Sequence, residues 1–112
     1  AAIDHGKTIA EIFKKFYEVY SDRMITIADD SSYLMIDTNP YDYKSGDSRL
    51  TDTGLDHIET LNKTLNLPDW LYEEMLNTRA LDGRQKESFD NVTVTWSYHP
   101  DQGMEVIYRS NH

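Results

Sequence analysis

The stretch that decides the fold is residues 92–110, "VTVTWSYHPDQGMEVIYRS". Val92, Val94, Trp96 and Tyr98 alternate with Thr93, Thr95 and Ser97, and Met104, Val106 and Tyr108 alternate with Glu105 and Arg109. A period of two belongs to extended strands, whose successive side chains point to opposite faces. Between the runs stand His99, Pro100, Asp101, Gln102 and Gly103. Pro100 presets φ for the second turn position, Asp101 suits the third, and Gly103 can adopt the left-handed conformation that closes the loop. A cluster that resembles a reactive site is therefore read as a turn, with His99 an ordinary exposed histidine at the strand end. The whole is a hairpin, and it makes one sharp demand: Trp96 faces the core and Thr95 faces away.

Upstream, the same reasoning gives a second hairpin. Ile25 and Ile27 alternate, "DDSS" at 29–32 interrupts, and Leu34 and Ile36 alternate again, which places strands near 24–28 and 33–37. Helical spacing appears first in "KTIAEIFKKFYEVYSDR", where Ile9, Ile12, Phe13, Phe16 and Tyr20 recur at steps of three and four. That is an amphipathic helix over roughly residues 7–22. Leu55, Ile58, Leu61 and Leu65 repeat the pattern, with Asp52 or Thr53 as cap and Asn66 able to end the helix in the left-handed region. Pro68 suits the first turn of a third helix, which sets Trp70 or Leu71, Met75 and Thr78 on one side. Residues 38–53 and 81–91 read as loops, the first rich in Asp and Ser with Pro40 and Gly46, the second marked by Asp82-Gly83. The expected architecture is a single α+β domain over residues 1–112. It has a four-stranded antiparallel sheet, made of two hairpins, with about three helices on one face. Strand order is not readable from this pattern.

The 112-residue length suits one domain with one modest core. The absence of cysteine removes disulfides, thiolate metal sites and cysteine nucleophiles. Net charge is −9, and seven aspartates fall between residues 29 and 56. A field of that sign repels phosphate backbones and anionic lipid, so a nucleic-acid partner is not expected. No apolar run approaches a membrane span. The chain starts "AAIDHG" without methionine. A trimmed end would permit a removed leader and an extracytoplasmic location. The triplets at Asn62 and Asn91 match the glycosylation sequon but are frequent by chance and carry no weight.

The densest run of chemistry-bearing residues is "DTNPYDYKSGD", 37–47. Asp37, Asn39 and Asp42 offer oxygen ligands, yet the EF-hand pattern fails, with Asp42 where a glycine is needed and Ser48 where a glutamate is needed. Neither a metal nor a cofactor is expected. Tyrosines in a polar loop point instead to recognition, because tyrosine is a favoured contact residue at interfaces. Asn39, Tyr41, Asp42 and Tyr43 are the candidate partner-binding residues, and a basic protein surface is the partner that the charge suits. Arg79 and Arg84 are candidate anion-binding residues, since guanidinium forks match carboxylate or phosphate. No catalytic signature occurs, and the neighbours of His57 at one and two residues, Asp56 and Glu59, do not face it on a helix. The leading expectation is a non-enzymatic binding domain. The competing one is a small hydrolase or small-ligand protein with a pocket between the helices and the 38–53 loop.

Overall fold

The structure, a computed structural model, describes residues 8–20, 22–42 and 48–111, with Ser48 described in its backbone alone. Helix α1 (Ile9–Tyr20) leads into strands β1 (Ile25–Ile27) and β2 (Tyr33–Asp37). Helices α2 (Ser48–Thr64) and α3 (Asp69–Leu76) follow, then a turn of 3-10 helix at Ala80–Asp82. Strands β3 (Gln85–Ser88), β4 (Val92–His99) and β5 (Gly103–Ser110) close the chain. The strands form one antiparallel sheet in the order β1-β2-β5-β4-β3. The C-terminal hairpin therefore sits beside the N-terminal one, with β5 central.

The sheet has five strands, not the four expected. The extra strand is β3, which lies in a stretch read as loop. Its sequence, Gln-Lys-Glu-Ser, has no apolar residue to alternate. It pairs with β4 through Gln85–Trp96 and Glu87–Val94 at the edge of the sheet, where charge discourages pairing with another chain. The long loop is also shorter than expected, because α2 begins at Ser48 instead of near residue 53. Gly54 looked like a boundary there, but it lies within the helix and packs against Thr38.

One face of the sheet carries the core. Leu34, Ile36, Val92, Val94, Trp96, Val106 and Tyr108 pack with Ile9, Phe13 and Phe16 of α1, Ile58 and Leu61 of α2, and Leu71 and Met75 of α3. Trp96 is 2% exposed on this face, while Thr95 lies on the other, in register with Ile107 and Lys86. Each large side chain removed from water is worth about 1.5–3 kcal/mol, so this cluster supplies the main drive to fold. On α3 it is Leu71, not Trp70, that enters the core; Trp70 is 47% exposed. Pro68 stands just before that helix as its cap residue.

Two polar links cross the core. The Tyr108 hydroxyl donates to Asn62 Oδ1 at 2.6 Å, and Asn62 Nδ2 lies 3.8 Å from Met75 Sδ, joining β5, α2 and α3. Burial pushes the Tyr108 phenol well above its usual range, and the Tyr72 phenol adds to this. Trp96 Nε1 donates to Thr78 Oγ1 at 2.8 Å. Asn62, the first residue of a sequon, is 4% exposed.

The turn at 99–103 forms as read. Gln102 N donates to the His99 carbonyl at 3.2 Å, Asp101 N donates to His99 Nδ1 at 3.0 Å, and Gly103 takes φ +75°. His99 therefore caps its own turn. No helix among the described residues is long and apolar enough to cross a membrane.

Candidate functional site

The loop after β2 turns sharply under the 99–103 turn. Thr38 N donates to the Met104 carbonyl at 3.0 Å, and Met104 N donates back to Thr38 Oγ1 at 2.8 Å. Asn39 N donates to Asp37 Oδ1 at 2.8 Å, a local Asx turn, and Asn39 Nδ2 donates to the Asp101 carbonyl at 3.0 Å. Asp42 N then donates to the Asn39 carbonyl at 3.0 Å. Thr38 and Asn39 are 2% and 1% exposed. Asn39 thus has almost no surface to offer a partner; it holds the loop. A side-chain amide that bridges two loop backbones lies between them and out of solvent.

Tyr41 and Asp42 stand at the exposed end of this anchored segment. Tyr41 is 41% exposed, its hydroxyl accepts a hydrogen bond from Arg23, and the Arg23 guanidinium lies 5.5 Å from its ring centroid. A cation over an aromatic face is attracted by the ring quadrupole, which fixes where the ring sits. Asp42 is exposed and adopts φ +53°, a left-handed conformation that aspartate tolerates better than most residues. Tyr43 lies outside the described residues.

Asp37 closes the acidic side of the corner. Burial raises its carboxyl above the usual range, and the charges of Glu105, its cross-strand neighbour, and Asp42 act in the same direction; the Asn39 N–H opposes them. Among the described residues no lysine or arginine pairs with Asp37, Asp42 or Glu105.

Among the described residues the two candidate arginines share no partner. Arg79 N donates to Asp82 Oδ2 at 2.7 Å, and Arg79 Nη2 lies 3.5 Å from Asp82 Oδ1. These contacts hold the Asp82 carboxyl below its usual range and commit Arg79 to capping the 3-10 turn. Arg84 is exposed beyond Gly83 and shares no partner with Arg79 among the described residues.

Beside the corner lies a cleft of about 430 Å³ between α2, α3 and the hairpin. Thr51, Leu55, Leu76, Thr78, Tyr98 and Met104 line it, with Asn39, Pro100 and Gly103 at the corner side. Leu76 is 48% exposed and Tyr98 38%. Among the described residues the lining carries no carboxylate, histidine, lysine or arginine.

Sequence reasoning missed two contacts that depend on distant residues. Arg23 meets Tyr41 across 18 positions, and His57 Nε2 lies 2.9 Å from Asp22 Oδ2 across 35. Asp22 also accepts from Met24 N at 2.7 Å, so the pair ties the α1–β1 connection to α2. The His57 ring packs against Tyr20 and Phe16 at centroid separations of 5.6 and 6.3 Å. Among the described residues, its hydrogen bonding runs to Asp22 alone. No described group of three or more His, Asp or Glu residues could hold a metal ion.

Comparison with known proteins finds no matching family model, no similar curated protein and no similar solved structure.

Proposed function

We propose that the chain is a non-enzymatic recognition domain whose corner loop, at Tyr41 and Asp42 with Tyr43 following, docks a basic protein surface. One observation carries the reading: an aromatic ring and a carboxylate are exposed on a backbone fixed by hydrogen bonds to the 99–103 turn. A pre-ordered contact segment loses little conformational freedom on binding, so its affinity per contact is higher than that of a floppy loop. The carboxylates around it give a basic partner its orientation and speed its approach. Asn39 acts from behind by holding the loop.

The test is quantitative pull-down from cell extract with wild type and with Tyr41→Ala/Asp42→Ala. Partners that depend on the corner should drop about tenfold with the double variant, and salt should weaken them in wild type. Equal recovery of every partner with both proteins defeats the assignment.

A second reading is favoured by the cleft, whose described lining is uncharged. Its volume lies in the lower range of small-molecule pockets, and its few hydroxyls would orient an uncharged, partly apolar ligand. Chemical-shift mapping with a fragment library decides it: shifts gathered at Leu55, Leu76 and Tyr98 support a ligand site, and none there removes it.

A further inference from the structure

We propose that the outer face of the sheet is a self-association surface, and that its occupant is a second copy of this chain. The hydrophobic core packs against the inner face. On the outer face Tyr33, Lys86 and Arg109 are exposed, Met35, Glu105 and Ile107 are half-buried, and Thr95 is 7% exposed. Cross-strand register sorts its side chains into three rows. One row is Tyr33–Arg109–Thr93 and the middle one is Met35–Ile107–Thr95. The last row is Asp37–Glu105–Ser97. One side of the face therefore carries Arg109, the centre carries Met35 and Ile107 flanked by Thr26 and Thr95, and the other side carries Asp37 and Glu105.

This order complements itself. Consider a two-fold axis lying between two facing sheets and running along the middle row, at right angles to the strands. It sets Ile107 near Ile107 and Met35 near Met35. It also sets Arg109 of each copy over Glu105 of the other, twice. Tyr33 comes over Asp37, where its hydroxyl can donate to the carboxylate. The other in-plane axis, along the strands, would set Arg109 over Arg109 and the acidic row over itself. Charge thus selects one orientation. Lys86, at the β3 end of the middle row, meets its own copy only at the rim, where its long stem can turn the ammonium to solvent. An isologous contact of this kind closes after two copies.

The area sets the strength. Strands β4 and β5 have eight residues, but β1, β2 and β3 have three, five and four. At about 3.3 Å per residue and about 4.8 Å per strand, one face therefore covers roughly 440 Å². Two such faces bury roughly 900 Å² together, just under the roughly 1,000 Å² of a specific interface. The dimer is therefore weak and concentration-dependent. This inference does not rest on Tyr41 or Asp42 of the corner loop, although its acidic row shares Asp37 and Glu105 with the carboxylates beside that loop.

Sedimentation equilibrium over a wide concentration range tests it, with Arg109→Glu, Glu105→Arg and their equimolar mixture. Wild type should dimerise with a midpoint of roughly tens to hundreds of micromolar. Each variant alone opposes like charges twice and should associate about tenfold more weakly. The mixture restores both pairs, so it should regain near wild-type association as a heterodimer, visible by native mass spectrometry. Dilution of the wild type, followed by amide shifts, checks the surface without any variant: Met35 and Ile107 should move while Val19 and Leu81 do not. The proposal falls if wild type stays monomeric to about 1 mM. It also falls if the folded single variants associate like wild type, or if the mixture gains nothing. Shifts that map elsewhere overturn it as well.

Discussion

Thr38 sits where the β2 end, α2 and the β4–β5 turn meet, and two glycines make room for it. A Cβ on Gly54 would lie 2.8 Å from Thr38 Cγ2 and 2.9 Å from Thr38 Cα. A Cβ on Gly103 would lie 2.7 Å from Thr38 Oγ1, at a backbone φ of +75°. Both the left-handed backbone and the close approach oppose a side chain at 103. Gly103→Ala should therefore cost about 2–4 kcal/mol, read as a lower urea midpoint. Amide exchange at residues 38–42 should quicken with it, because the loop is fastened to this turn. Tyr108 is a different kind of single-residue dependence. Tyr108→Phe keeps the ring and removes the donor to the buried Asn62 Oδ1. An unsatisfied buried acceptor costs about 1–3 kcal/mol, so this variant should unfold earlier in urea with an unchanged slope.

At the scale of elements, the end of α2 shows how local chemistry sets a boundary. Leu67 N donates to the Asn62 carbonyl at 2.9 Å and Asn66 N to the Lys63 carbonyl at 3.0 Å, with Asn66 at φ +58°. This is a Schellman stop, with asparagine where glycine is commoner. Asn66→Ala should destabilise by about 1 kcal/mol, while Asn66→Gly should stay within a few tenths, measured by thermal unfolding. That stop was legible from the sequence, and so were β2, β4, β5, the 99–103 turn and the inward face of Trp96. In each case a strong local rule agreed with the tertiary outcome. Strand β3 was not legible, because the polar residues that protect an edge erase the alternation that marks a strand. The first turns of α2 were hidden by Gly54, whose place in a helix is explained only by Thr38. The candidate site was legible only in outline. Tyr41 and Asp42 are exposed, but the bridging role of Asn39, the pairing of Arg79 with Asp82 and the contact of Arg23 with Tyr41 depend on geometry that periodicity does not carry.

Over the whole molecule the net charge of −9 makes pH and salt the main external levers, and Asp37 is where they can be read. Its carboxyl is raised chiefly by burial, with Glu105 and Asp42 adding repulsion. A folded-state pKa above the unfolded one means that the native state holds this proton more tightly. The associated stability is fully present below the unfolded pKa and is lost as pH rises through the folded one. Near pH 7 the ionised group is therefore a cost. Asp37→Asn removes that charge and keeps an oxygen to accept the Asn39 N–H, so the turn survives. The variant should be more stable than wild type at neutral pH, by under about 1 kcal/mol because the site is partly solvated. The gain should fade below about pH 4, where wild-type Asp37 is protonated in both states. Urea titrations at the two pH values, run dilute enough to keep the chain monomeric, read the difference. A gain that persists unchanged in acid would place its origin in packing instead of charge. A loss at neutral pH would mean that Asp37 is stabilised as an anion, and that the carboxylates around it are less crowded than their register implies.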